Sequence, residues 1–167
     1  PDGTSFTKLI DLDLVNSGGY PDGSLVYDGT SLFWMTPNGG ANSKGVIAKI
    51  KPDGTGFTKL IDFNGTDNGS LPYGSLLYDA VGAYFYGMTS GGGANGFGTL
   101  FGIKTDGTSY NKLFDFNGST KGSYPYGSPI SDGTFLYSIT SQGGANNAGI
   151  LFKASIAPFT TISNFSP

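Results

Sequence analysis

Twelve carboxylates, ten tyrosines and nine ammonium groups are the titratable side chains of this 167-residue chain. Every acid is Asp and every base is Lys; Glu, Arg, His and Cys are absent. A Ser-His-Asp or Cys-His site therefore cannot be assembled from it, and any acid–base pair would have to be two aspartates. Asp28, Asp53, Asp106 and Asp132 each precede a glycine, where a short acceptor side chain serves a tight turn. Asp11, Asp62 and Asp115 recur at one place in a repeated pattern whose fourth copy has Asn164. Asn replaces Asp as a turn acceptor but not as a general base, so these carboxylates read as structural. The chain is expected not to be an enzyme; one using Asp and Tyr is the outlying alternative.

Two kinds of binding remain. Asp62, Asn64 and Asp67 crowd oxygen donors into a Gly-containing loop, DFNGTDNG, of a chemistry suited to Ca²⁺, although EF-hand spacing and its closing Glu are missing. Asp11-Leu12-Asp13 and Asp115-Phe116-Asn117 are thinner versions. Aromatic faces beside amides suit a neutral polar ligand such as a glycan. Tyr20, Tyr73, Tyr124 and Tyr126, with Asn38, Asn42, Asn95 and Asn146, supply them. The competing reading is that an Asn found in every copy closes its own loop. Trp34 stands where the other copies have Gly87 and Ser138, which marks a packing or contact role special to the first copy. The Gly-rich stretch near Gly91 is followed by neither Lys-Ser/Thr nor a helix, so it is not a phosphate loop. Asn64, Asn68, Asn117 and Asn164 head sequons that would matter only in a glycosylating, secreted setting.

The elements that must position these residues come from a repeat. FYGMTSGGGANGFGTLFGIK from Phe85 returns as LFWMTPNGGANSKGVIAKIK from Leu32 and LYSITSQGGANNAGILFKAS from Leu136. PDGTSFTKLIDL at Pro1 returns at Pro52 and Thr105, a spacing of 51 to 53 residues. A period of this size signals a solenoid, propeller or array. Each unit reads as four strands. Strand A covers 24–28, 75–79 and 128–132; strand B covers 32–36, 85–89 and 136–140; strand C covers 46–51, 99–104 and 150–155. Strand D covers 57–63 and 110–116, with further copies at 6–12 and 159–165. Asp-Gly pairs join C to D and A to B, a strong hairpin signal because Gly accepts positive φ. The longer B–C and D–A loops then share one end, which is where loop-borne function would lie. Adjacent apolar residues in strand C, Leu100 and Phe101 or Leu151 and Phe152, point to opposite faces and require cover on both sides. The expected architecture is all-β, with propeller-like blades: a lone strand D at 6–12, then units of about 19–63, 70–116 and 123–165.

The pattern GGxNxxGTLFxIxxDGTxFTxLxDFxG…PxGxLxYDGxxLYxxT resembles the GloVer-type tandem repeat of secreted bacterial choice-of-anchor proteins. The middle copy, Gly92 to Asp115, carries the resemblance best, and it extends over essentially the whole chain. It implies a β-propeller-like array on the cell surface or outside the cell, sorted there by other segments, and it implies no particular activity. Three copies without an anchor segment depart from that pattern.

Composition agrees. Gly contributes 29 residues and charged residues 13%, while strong helix formers are scarce. A net charge of −3 with no basic patch excludes nucleic acid as an obvious partner, and no apolar run approaches a membrane span. Zero Cys chooses no compartment; the weakly charged Gly/Ser/Thr/Asn surface suits secretion. Three blades are too few to close a ring, and an open array leaves end faces bare. A homo-oligomer joined end to end, as ring or filament, is the leading expectation. A segment of a longer array and a lectin-like or calcium-stabilised propeller are the alternatives.

Overall fold

The computed structural model describes residues 5–156. They form eleven strands and no helix. The first blade holds β1 (Val26–Tyr27), β2 (Leu32–Thr36), β3 (Val46–Ile50) and β4 (Thr58–Asp62). The second holds β5 (Leu77–Asp79), β6 (Tyr84–Thr89), β7 (Thr99–Lys104) and β8 (Asn111–Asp115). The third holds β9 (Ile130–Ser131), β10 (Phe135–Ile139) and β11 (Leu151–Ser155). Each sheet is an antiparallel meander in chain order, β1-β2-β3-β4, β5-β6-β7-β8 and β9-β10-β11. A bulge recurs in the C–D pairing of the first two blades, between Ile47 and Ala48 and between Leu100 and Phe101. It sends both Leu60 and Ile61 toward the next blade.

The C–D hairpins turn where the Asp-Gly pairs place them. Gly54 and Gly107 have φ of 82° and 88°, and each N–H closes onto the carbonyl of Lys51 or Lys104 at 2.9 Å. The glycine that opens every strand C is needed for a different reason. Gly45, Gly98 and Gly149 have φ of 102°, 99° and 93°, and a Cβ there would strike the carbonyl oxygen of Thr36, Thr89 or Thr140. This close approach brings strands B and C back together after the Gly-Gly-Ala-Asn loop.

The blades stack face on face. The trailing face of the first blade, Phe33, Met35, Ile47 and Phe63, packs on Leu76, Phe85, Phe101 and Ile103 of the second. Phe33 and Phe85 rings lie 4.4 Å apart, Phe63 and Phe101 5.7 Å. One repeat later, Tyr86, Met88, Leu100 and Phe116 pack on Leu136, Phe152 and Ala154. The middle blade is thus covered on both faces, and all six residues of β6 are buried. Two hydrogen bonds join each pair of blades. Ser24 N–H donates to Ser75 Oγ at 2.7 Å, and Ser75 N–H to Ser128 Oγ at 2.8 Å. Leu71 N–H donates to the Lys44 carbonyl at 3.0 Å, and Tyr124 N–H to that of Phe97 at 3.1 Å.

The lone first strand D is a correction. Residues 6–12 pair with no strand among the described residues. They nevertheless lie where the repeat puts a strand D. Leu9 sits against Gly54 as Leu60 sits against Gly107, and Ile10 packs on Trp34, Val46, Ala48 and Ile50. Lys8 and Asp11 pair at 2.8 Å, as Lys59 and Asp62 do at 2.9 Å and Lys112 and Asp115 at 3.0 Å. The strand expected at 159–165 lies outside the described residues. The A strands are shorter than expected, two or three residues each.

Candidate functional site

The repeated Asn residues of the B–C loops fasten their own blades. Asn42 Nδ2 donates to the Phe63 carbonyl at 3.0 Å, and Asn95 Nδ2 to that of Phe116 at 2.9 Å. The same loops offer Ala41 N–H to Asp62 Oδ1 at 2.7 Å and Ala94 N–H to Asp115 Oδ1 at 2.9 Å. One Asn and one Asp therefore tie the loop to the end of strand D in both blades. Asn146, whose counterpart partner would be Phe165, is exposed. Asn38 offers its backbone carbonyl to Thr36 Oγ1 at 3.0 Å.

The tyrosines do not form one set. Tyr73 and Tyr126 hold equivalent places and meet edge to face, with centroids 5.4 Å apart. Tyr20 instead occupies the place of Leu71 and Tyr124, with φ of 56° beside their 57° and 53°. This left-handed position before a proline costs strain. In the second and third blades its backbone carries the hydrogen bond to the preceding blade. Tyr20 is largely exposed and Tyr124 packs on Phe97 at 5.6 Å.

The oxygen-rich loop closes on itself. Asp62 Oδ2 takes the Lys59 ammonium at 2.9 Å and its Oδ1 takes Ala41 N–H. Asn64 Nδ2 donates to Asp67 Oδ2 at 2.9 Å, and Asp67 N–H returns to Asn64 Oδ1 at 3.0 Å. Asn64 N–H donates to Asn68 Oδ1 at 2.7 Å. A cation here would displace Lys59 and these donors.

The Asp-Gly carboxylates are turn acceptors. Asp53 Oδ1 takes Thr55 N–H at 2.9 Å and its hydroxyl at 2.7 Å; Asp106 Oδ1 takes Thr108 N–H at 2.8 Å and its hydroxyl at 2.6 Å. These bonds to Thr55 and Thr108 hold both carboxyls below the usual range. In Asp28 the small burial opposes this, and the bonds from Ser31 and Thr30 outweigh it. The Tyr137 hydroxyl, donating at 2.6 Å, and the Phe135 and Thr134 N–H groups bring Asp132 down to about 2. A depressed folded pKa adds stability that is full above the unfolded value of about 3.9 and is lost as pH falls through the folded value. Urea midpoints should hold steady down to about pH 5 and fall between about pH 4 and pH 2. Asp132→Asn should flatten part of that fall. Midpoints unchanged down to pH 2 would contradict the assignment.

Trp34 has a packing role that its repeat partners explain. It faces Ala48 in the β2–β3 register, as Gly87 faces Phe101 and Ser138 faces Phe152. Each blade places one large ring and one small residue at this cross-strand pair; the first blade exchanges them. Trp34 is buried and its Nε1–H donates to the Ser17 carbonyl at 3.3 Å. Reading strands B and C as paired partners, rather than column by column, would have found this in the sequence.

What stands uncovered on the third blade is a sheet face. On the third blade Ile130, Ile139 and Leu151 are 65%, 59% and 77% exposed. Their counterparts Met88 and Leu100 are 1% and 0% exposed. Both hydrogen-bond series also stop at the ends. Among the described residues, nothing pairs with Ser128 N–H or the Ala148 carbonyl at one end, or with Ser24 Oγ and Tyr20 N–H at the other. The opposite face is half open: Leu25 is exposed where Leu76 is buried, whereas Trp34, Val46, Ala48 and Ile50 lie under the N-terminal segment.

Four-stranded meanders stacked face on face about adjoining A strands define a β-propeller-like repeat protein. The chain belongs to the Gloeobacter/Verrucomicrobia repeat family, whose pattern matches residues 1–167. Its fold is similar to a chain in the crystal structure of a nidogen/laminin complex, with a TM-score of 0.55 and 22% identity. That alignment covers 80% of this chain and 43% of the other, so the present chain spans less than half of its solved relative. No curated protein matches.

Proposed function

We propose that this chain is a non-catalytic structural module, working outside the cell, whose blades associate end to end with other copies. The observation that carries this reading is the bare trailing face of the third blade. It offers Ile130, Ile139 and Leu151, together with Ser128 N–H and the Ala148 carbonyl. The first blade offers Leu25, Ser24 Oγ and Tyr20 N–H. Their counterparts in the repeat join the first blade to the second and the second to the third. Burying one such aliphatic side chain stabilises by about 1.5–3 kcal/mol, and an exposed apolar patch rimmed by polar groups marks an interaction site. A joint between unlike faces propagates, as ring or filament according to its rotation.

Sedimentation across a concentration series tests this. The expected result is a mass that rises above 17.3 kDa with concentration, and returns to the monomer in Ile139→Lys/Leu151→Lys. A 17.3 kDa particle at every concentration would refute it.

The half-exposed Tyr126 ring against Tyr73 favours a second reading, a carbohydrate contact at the long-loop end. Binding on a glycan array that disappears in Tyr126→Ala would support it; an array without hits would remove it.

A further inference from the structure

The third blade lacks a fourth strand among the described residues, and β11 is left at the edge of its sheet. Beside that edge is a cavity of about 340 Å³ lined by Phe114, Ile150, Phe152 and Ala154, with Lys121 and Lys153 at its rim. In the second blade, the Tyr110 ring from β8 stacks on Phe101, the counterpart of Phe152, at 5.3 Å. The cavity is therefore shaped for a strand D led by an aromatic ring.

The chain's own candidate, residues 159–165, fits poorly by sequence. From Ser155 to Phe159 the chain runs four residues, against six from Lys51 to Phe57 and six from Lys104 to Tyr110. It has no Asp-Gly turn, and Pro158 stands just before the strand. Thr161 and Asn164 replace the paired Lys and Asp, and Ser163 replaces Ile61 or Phe114, which face the next blade. Residues 1–12 carry all that is missing: PDGT, an aromatic at Phe6, Lys8 paired with Asp11, and Ile10. Residues 6–12 already lie on the first blade as β4 lies on the second, with Phe6 89% exposed.

We infer that residues 6–12 of one copy add to β11 of a second copy as its fourth strand. This rests on the end-to-end reading and specifies how the joint is made. Addition of an extended segment to an open sheet edge satisfies backbone groups that the edge leaves unpaired. The β3–β4 ladder fixes the register: Lys49 faces Thr58 and Ile47 faces Ile61, so Lys153 faces Thr7 and Leu151 faces Ile10 across the joint. Asp11 then accepts from Ala145 N–H as Asp62 does from Ala41, and the Phe6 ring enters the cavity over Phe152.

The absence of Cys from the chain makes this testable by thiol trapping. Thr7→Cys protein is mixed with Lys153→Cys protein under oxidising conditions, and covalent heterodimer is followed by mass alongside sedimentation. The expected result is heterodimer forming about tenfold faster than with Ala154→Cys, whose side chain points to the other face. Assembly without faster trapping of the Thr7–Lys153 pair would overturn strand addition while leaving end-to-end association standing. A mixture that stays monomeric would overturn both. A rapid intramolecular disulfide in Lys153→Cys/Thr160→Cys would show that the chain fills its own edge, and would also overturn the inference.

Discussion

Gly98→Ala should cost about 3 kcal/mol or more, enough to unfold much of a marginally stable domain. Two effects add. A residue with a Cβ is strained at φ of 99°, and the new methyl would collide with the Thr89 carbonyl, which is backbone and cannot rotate away. That carbonyl belongs to the turn where Thr99 N–H bonds Thr89 Oγ1 at 3.0 Å and the two threonine hydroxyls lie 2.9 Å apart. Displacing it opens the B–C pairing in the most buried sheet of the molecule. Gly96→Ala is the control, two residues away. Gly96 has φ of 78°, but nothing lies within 4 Å of its Cβ position, and Ser43 and Asn147 occupy the same place in the neighbouring repeats at φ of 55° and 53°. Its cost should be about 1–2 kcal/mol. Urea unfolding of both variants decides the matter; equal midpoints would show that the close approach of strands B and C contributes nothing.

The second large effect concerns Trp34 and Ala48. Trp34→Gly removes a buried ring and should cost about 3–5 kcal/mol, including the bond from Nε1 to the Ser17 carbonyl. Ala48→Phe alone should cost about 1–3 kcal/mol by overpacking against the indole. Together the two substitutions write the Gly87–Phe101 pair of the second blade into the first. The double variant should therefore be more stable than the sum of the single losses by about 2 kcal/mol. Additivity within about 0.5 kcal/mol would mean that the two sites do not share one space. The rescue is expected to be incomplete, because the double variant loses the Trp34 Nε1–H that donates to the Ser17 carbonyl.

Much of this architecture was legible in the repeat. Spacing located β2, β3, β6 and β7, because each is an apolar run bounded by glycines whose backbone requirements leave few alternatives. Double-sided burial was legible from Leu100 beside Phe101. The candidate ligand residues were less so. Recurrence of Asn42 and Asn95 in the repeat favours loop closure over ligand binding, and the positions of the Phe63 and Phe116 carbonyls show which groups they close on. Tyr20 and Tyr73 looked alike, although they stand at different places in the repeat and in different backbone regions.

The amino-acid order alone determined that the chain builds β meanders of fixed period, where each one turns, and which residues face a neighbouring blade. Those properties are local: alternation, glycine conformations and Asp-Gly hairpins act over a few residues and repeat with the sequence. The tertiary arrangement decided what becomes of the ends. Residues 6–12 have the sequence of a strand, but a strand exists only beside a partner, and among the described residues none pairs with them. Leu151 is as apolar as Leu100, yet one lies in water and the other at the centre, because burial belongs to the stack and not to the residue.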